Sequence, residues 1–261
     1  MMPSTPMQIV LDEDRHWWFA SRTRAILAIL DRYIGANSNC AVLDVGAGAG
    51  NMMHHLAAYG QVVGVDNHPR PIAVAQQRGY DVRLGDAQAL PFEERKFDLV
   101  ALLDTLEHCP DDLAVLRECW RVTRPGGHLL VTTPAFMWLW SHNDVLNRHQ
   151  RRYTARELRE RIAQAGYQTR FISYNNFLVF PLAAPLILMR RWLGQRPELA
   201  SPHFDADAYQ VEMEPTAPWL NRLLSAVGQV EAALLRKTAL PIGTSILALA
   251  RRPLADSHGA G

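Results

Sequence analysis

Between Cys40 and Pro134, five strand-like apolar runs are interleaved with helical segments, and glycine, proline or aspartate marks nearly every change of period. The runs are AVLDV (41–45), QVVGVD (61–66), YDVRLGD (80–86), FDLVALLD (97–104) and HLLVTTP (128–134). NMMHHLAAY (51–59) and PIAVAQQR (71–78) read as helices, with Gly60 a C-cap and Gly79 following the second. A third helix, capped by Asp111 or Asp112, runs to Val122 and stops at Pro125-Gly126-Gly127. Strands alternating with helices build a parallel, doubly wound α/β sheet, which binds ligands at the carboxyl ends of its strands.

Outside that block, residues 8–34 carry apolar side chains at helical spacing and end at Gly35. Thr154 and Glu157 fit a capping box for a helix with Leu158, Ile162 and Ala165 on one face. YQTRFISYNNF (167–177) and SILALARR (245–252) supply two further strands. The expected division is an N-terminal helical cap over 1–36, a core over 37–177 and 241–253, and a helical insertion over 178–240. The insertion holds FLVFPLAAPLILM (177–189), a polar proline-rich middle (196–218) and an amphipathic helix (219–237).

With 261 residues, 48% of them hydrophobic, the chain can bury a large core, and a net charge of +1 argues against nucleic acid as a partner. Cys40, Cys109 and Cys119 make neither a CxxC pair nor an even disulfide framework, which fits a reducing cytoplasm. The first residues lack a basic and then apolar leader, so no signal peptide is expected. The 177–189 run is too short and too proline-rich for a bilayer crossing. Its continuation into Arg190-Arg191-Trp192 has the order of an interfacial segment, so peripheral membrane contact through 177–192 is one expectation, and packing on the same domain or a second copy is the other.

The loop VLDVGAGAGN (42–51) carries the chemistry. Asn51 stands where G-x-G-x-x-G needs its last glycine, and no GK[ST] follows, so neither the dinucleotide fingerprint nor a P-loop is present. Asp44, Asp66, Asp86 and Asp104 close four successive strands at the same rim. One such aspartate is an ordinary loop cap. Four together repel phosphate and favour a cationic ligand bearing a nucleoside, whose ribose hydroxyls Asp66 is spaced to receive.

Here the sequence resembles class I S-adenosylmethionine-dependent methyltransferases. LDVGAGAGN, VVGVDNHP, GDAQALPF, FDLVALLDTLEHCPDD and RVTRPGGHLLVTTPA are similar to that family's motifs in order and spacing, across about 40–134. The resemblance implies a Rossmann-like seven-stranded sheet with an antiparallel last strand and a substrate-recognition insertion before it. It implies S-adenosylmethionine as cofactor, its methionine part held around Asp44, Gly46, Ala47, Gly48 and Gly50. It also implies its ribose at Asp66 and Asn67, its adenine at Asp86 and Ala87, and its sulfonium beside Asp104. A closer similarity is to bacterial methyltransferases with an HxWF…R element, here His16-Trp17-Trp18-Phe19…Arg22, and a PAF…H-x-R-R-Y stretch, here Pro134 to Tyr153. Asp104-x-x-Glu107-His108 also resembles the E-x-x-E-H of ubiquinone-type O-methyltransferases, with aspartate replacing the first glutamate.

For a hydroxyl acceptor, a histidine is the natural general base. His108, His142 and His149 all lie on rim loops, with Asp144 placed to orient one of the latter two. Each also has a structural reading as part of a loop network, and His142, Asp144 and His149 have metal-ligand chemistry, though no metal is expected. Arg151, Arg152 and Tyr153 are expected to clamp an acceptor anion, and Trp17, Trp18 and Trp138 to line its pocket, with Arg22 reaching the cofactor carboxylate. The expected activity is methyl transfer, at oxygen, to a small-molecule, lipid-linked or glycan-linked metabolite by a cytoplasmic monomer or homodimer. Transfer to carbon or nitrogen, a cofactor-binding regulatory protein without turnover, and a dinucleotide oxidoreductase are the alternatives.

Overall fold

A computed structural model describes residues 12–36, 39–194 and 216–254. Seven strands, β1 (Cys40–Val45), β2 (Gly60–Asp66), β3 (Val82–Leu84), β4 (Phe97–Leu103), β5 (Thr123–Pro134), β6 (Gln168–Asn175) and β7 (Ser245–Arg251), form one sheet in the order β3-β2-β1-β4-β5-β7-β6. β3 through β5 pair in parallel, while β7 runs antiparallel to both β5 and β6. The strand order reverses between β1 and β4, the position at which such sheets bind ligands beyond the carboxyl ends of their strands.

Nine α-helices occur among the described residues: α1 (Asp12–Arg15), α2 (Trp17–Tyr33), α3 (Met53–Leu56), α4 (Pro69–Gln77), α5 (Asp112–Val122), α6 (His142–Leu146), α7 (Ala155–Gln164), α8 (Phe180–Trp192) and α9 (Pro218–Leu235). β4 shows why its sequence is almost uninterruptedly apolar. Val100 and Leu102 join α5 and α7 on one face, while Leu99, Ala101 and Leu103 join α2 and α9 on the other. A strand covered on both faces has no polar side to alternate with. Local signals set the helix starts: Asp111 Oδ1 accepts from Ala114 N at 2.9 Å at α5. At α7, Thr154 Oγ1 accepts from Glu157 N at 3.2 Å while Glu157 Oε2 accepts from Thr154 N at 2.7 Å.

Several boundaries differ from the sequence reading. Gly60 does not cap a helix; it opens β2 at φ +153°, where a Cβ would stand 1.9 Å from the Cys40 carbonyl oxygen. The expected helix over 51–59 shrinks to α3, flanked by turns. Pro125 to Gly127 lie inside β5, where an irregular register beside Phe97 and Leu99 accommodates them. The N-terminal helix breaks at His16, whose extended backbone caps α2.

The insertion lies between β6 and β7 as α8 and α9; most of its expected proline-rich middle falls outside the described residues. α9 packs along α2: Asn221 Oδ1 accepts from Trp17 N at 2.8 Å, its amide donates to Arg15 O at 2.9 Å, and Arg24 donates to Ser225 O at 3.1 Å. Buried Glu231 of α9 accepts from Asn176 N and from Leu178 N, fixing the turn from β6 into α8. Among the described residues no helix is long and apolar enough to cross a membrane.

Candidate active site

The glycine loop leaves β1 directly beneath the open end of the sheet. Gly46 and Ala47 both donate to Val65 O, at 2.8 and 3.0 Å, which ties the loop to β2. Gly46, Gly48 and Gly50 all have positive φ, and a Cβ on Gly46 would stand 2.3 Å from Thr105 Oγ1, so this turn admits only glycine there. Gly48 N donates to Asp66 Oδ2 at 2.9 Å, and His68 N donates to Asp66 Oδ1 at 2.8 Å. Asp86 is exposed at the next strand end and accepts from Gln88 N at 2.8 Å; Ala87 packs against the core beside it, and Asn67 is exposed after Asp66.

Acidic groups gather at the middle of this rim. Asp104 holds a left-handed backbone at φ +53°, fixed by bonds from its N–H to Thr132 and from Thr132 Oγ1 to Asp104 Oδ1 at 3.0 Å. Strain of this kind marks positions whose surroundings over-determine them. Arg22 of α2 reaches down to Asp104, Nε to Oδ2 2.7 Å. Asp44 is buried at the end of β1, and that burial pushes its carboxyl up to about 7, Arg22 opposing and Asp66 adding to the shift. Glu107, fully buried just beyond Asp104, is raised well above the ordinary carboxyl range by desolvation and by Asp104.

The sign of the resulting pH dependence follows. A folded-state pKa raised from 3.8 to about 7 makes the stabilisation complete below the unfolded value and loses it as the pH rises through the folded one. Ligand-free protein is therefore expected to have a higher urea midpoint at pH 5 than at pH 8. Asp44 contributes roughly 2–3 kcal/mol of that difference, because part of its effect is already lost between pH 3.8 and 5. Asp44→Asn should flatten the profile; an unchanged profile would show that Asp44 is ionised throughout.

Across the rim, the loop after β5 carries a second charged cluster. Asp144 is fully buried and saturated: Oδ1 takes bonds from His149 Nδ1 at 2.9 Å and Arg152 Nε at 2.7 Å. Its Oδ2 takes bonds from Arg152 Nη2 at 2.9 Å and from Ser141 N at 2.7 Å. Burial alone would raise the Asp144 carboxyl, but the bonds from His149 and Arg152 and the guanidinium charge hold it well below the carboxylate range. With Nδ1 committed to Asp144, the His149 ring packs edge-on to His108 at 4.7 Å between centroids. Burial and His149 depress the His108 pKa. Glu107, His108 and His149 bring one ligand-type atom each within 4.8 Å of one another.

The structure separates some residues that share a stretch of sequence. His142 begins α6 without a hydrogen bond or ion pair among the described residues, so Asp144 orients His149 and not His142. Arg152 is spent on Asp144 and Ala135 O, Arg151 on Pro110 O and Asp112, and the Tyr153 hydroxyl on Asp112 at 2.9 Å. These three therefore brace the loop from behind. Trp138 is half exposed and stacks on Phe136 at 5.4 Å, and Trp18 meets Trp17 edge-on. Two shallow clefts lie beside α2. The first is lined by Arg22, Asp104 and Thr132, the second by Trp17, Ser21 and Glu231, and Asn175 lines both. Asn175 and Glu107 had no assigned role in the sequence; the strand-end pair in YNNF and the second acid of D-x-x-E-H were the available signals.

A seven-stranded sheet with a glycine cradle, an acidic rim and no phosphate motif defines a nucleoside-cofactor-binding α/β protein. Residues 43–131 match the family model described as a methyltransferase domain. The ubiquinone biosynthesis O-methyltransferase of Pseudomonas entomophila is 42% identical over 100 residues, 35% of this chain and 43% of its own length. That of Xanthomonas oryzae pv. oryzae is 34% identical over 132 residues, 45% of this chain and 55% of its own. The chain thus spans about half the length of the curated relatives it matches. Among solved structures, a chain of the complex between the Haloferax volcanii Trm112 methyltransferase activator and a methyltransferase shares the fold. Its TM-score is 0.58 at 18% identity, with 94% of this chain and 93% of that one covered. The cyclase SpnF does so at 0.58 and 20%, with 91% of this chain and 83% of that one covered. The chain carries a class I S-adenosylmethionine-dependent methyltransferase domain on a Rossmann-like fold, with S-adenosylmethionine as the domain's cofactor.

Proposed function

We propose that this chain transfers a methyl group from S-adenosylmethionine to a hydroxyl oxygen of a small-molecule, lipid-linked or glycan-linked acceptor, with His149 as general base. The observation that carries the reading is the His149–Asp144 bond set across the rim from the acidic, glycine-cradled seat. The residues present fit the cofactor. Gly46, Gly48 and Gly50 hold a positive-φ turn whose backbone a ligand can approach, and the carboxylates complement a cation. Asp44, Gly46, Ala47, Gly48 and Gly50 would hold its methionine end, Asp66 and Asn67 its ribose, Asp86 and Ala87 its adenine, and Asp104 would face the sulfonium. Bound there, it supplies a methyl carbon already activated by a cationic sulfur.

The protein's task is then mainly positioning. Asp144, kept ionised by Arg152 and Ser141, holds the His149 Nδ1 proton and leaves Nε2 to accept the acceptor's hydroxyl proton. α2 and α9 form a lid over this side of the sheet, and Trp17 and Asn175, which share a cleft there, would contact the acceptor. The names of the curated relatives also support oxygen as the acceptor atom. The buried Glu107 Oε1, which has no side-chain partner among the described residues, favours a second reading in which Glu107, His108 and His149 hold a divalent cation for the acceptor oxygen. Turnover lost to a chelator and restored by metal would select it. Calorimetry tests the shared premise: S-adenosylhomocysteine is expected to bind and NADH not to, and the reverse would overturn the proposal.

The acceptor's lipid character has its own support. Leu182, Leu186, Met189 and Leu193 are exposed at i, i+4, i+7 and i+11 of the α8 region, beside exposed Trp192 and the arginines Arg190 and Arg191. Such a stripe suits the headgroup boundary of an anionic bilayer. Co-sedimentation with phosphatidylglycerol vesicles is expected, weakened severalfold by Leu186→Glu. Equal sedimentation of wild type and variant, or none, would leave α8 as a packing surface.

A further inference from the structure

We propose that Asp14, His54 and His55 form a divalent transition-metal site, separate from the methyl-transfer site, that pins α1 to α3. Asp14 sits on α1, and both histidines sit on α3, a single turn that begins three residues after Gly50 of the cofactor loop. The two carboxylate oxygens divide between the two rings. Oδ2 lies 3.1 Å from His54 Nε2 and Oδ1 lies 2.8 Å from His55 Nε2. The rings are 3.7 Å apart between centroids, and the three ligand-type atoms fall within 4.8 Å of one another. Each side chain is about four-fifths buried, at 20–23% exposure.

Two imidazole nitrogens and a carboxylate suit zinc, cobalt or nickel far better than magnesium or calcium. Tetrahedral zinc at its usual bond lengths holds ligand atoms roughly 3.3 Å apart, so opening the observed contacts by a few tenths of an ångström admits the ion. Three protein ligands leave the fourth position for water. The mechanical consequence is specific: the ion joins the start of the N-terminal cap to the turn immediately after the glycine cradle. Occupancy would therefore hold the cap against the cofactor loop.

Crystals of the full chain grown with zinc chloride, measured on both sides of the zinc absorption edge, test the site directly. The expected result is an anomalous peak about 2.0–2.2 Å from both Nε2 atoms and from Asp14. A peak only at Glu107–His108–His149, or no peak at all, would overturn the proposal. In solution, cobalt titration followed by visible absorption should show binding weakened about tenfold or more in Asp14→Asn and in His55→Ala, since each removes a ligand. Zinc should raise the thermal midpoint of wild type but not of Asp14→Asn. Identical cobalt affinity and identical zinc-induced shifts in wild type and Asp14→Asn would reduce the cluster to a hydrogen-bonded clamp.

Discussion

His149→Ala is expected to lower methyl transfer by about 10²- to 10⁴-fold, the usual contribution of a positioned general base, with affinity for S-adenosylhomocysteine unchanged. The separation of the two effects follows from geometry. His149 is fixed from the β5 loop by Asp144, whereas the proposed cofactor contacts come from the ends of β1, β2 and β4 and the loop after β3. His142→Ala should leave the rate within about twofold, because His142 has no bond to Asp144 and the usual cost of losing a base therefore does not apply. A His149→Ala variant with wild-type turnover would remove the base, and a matching loss in cofactor affinity would make His149 a binding residue instead.

Asp144→Ala is expected to cost about 3–5 kcal/mol of folding stability, read as a lower denaturant midpoint, because it strands a buried guanidinium. Arg152 is only 10% exposed and gives two of its donors to this carboxylate. Asp144→Ala combined with Arg152→Met should recover much of the loss, since no unpaired charge then remains inside. If the single variant is as stable as wild type, water or the Ala135 carbonyl must satisfy Arg152, and the ion network is not what fixes this loop. Activity should stay low in the double variant even as stability returns, because His149 has lost the partner that sets its tautomer.

The centre of the sheet is legible because β1 and β4 are buried on both faces, which writes them into the sequence as apolar runs with an aspartate at or near the end. The antiparallel placement of β7 came from the family resemblance and not from the residues, because period-two patterning is blind to strand direction. Gly60 was misread because a glycine after a helical segment looks the same whether it ends a helix or lets one strand pass close to another. The structure shows the second, with its α-carbon against the Cys40 backbone. Arg151, Arg152 and Tyr153 were read as a clamp by charge alone; only their partners, Asp112, Asp144 and two backbone carbonyls, show where those donors go. Glu107 escaped assignment for the opposite reason: a carboxyl's role depends on burial, and its complete burial beside Asp104 has no signature in residue order.

The proposed activity is methyl transfer to a small or lipid-linked acceptor. The direct measurement is incubation of the full chain with methyl-labelled S-adenosylmethionine and fractionated small-molecule and lipid extracts, with the product then isolated. Label is expected in one low-molecular-mass or lipid fraction, held there through an oxygen, and lost with His149→Ala. Binding of S-adenosylhomocysteine with no label above blank in any fraction would contradict it and leave a cofactor-binding protein without turnover.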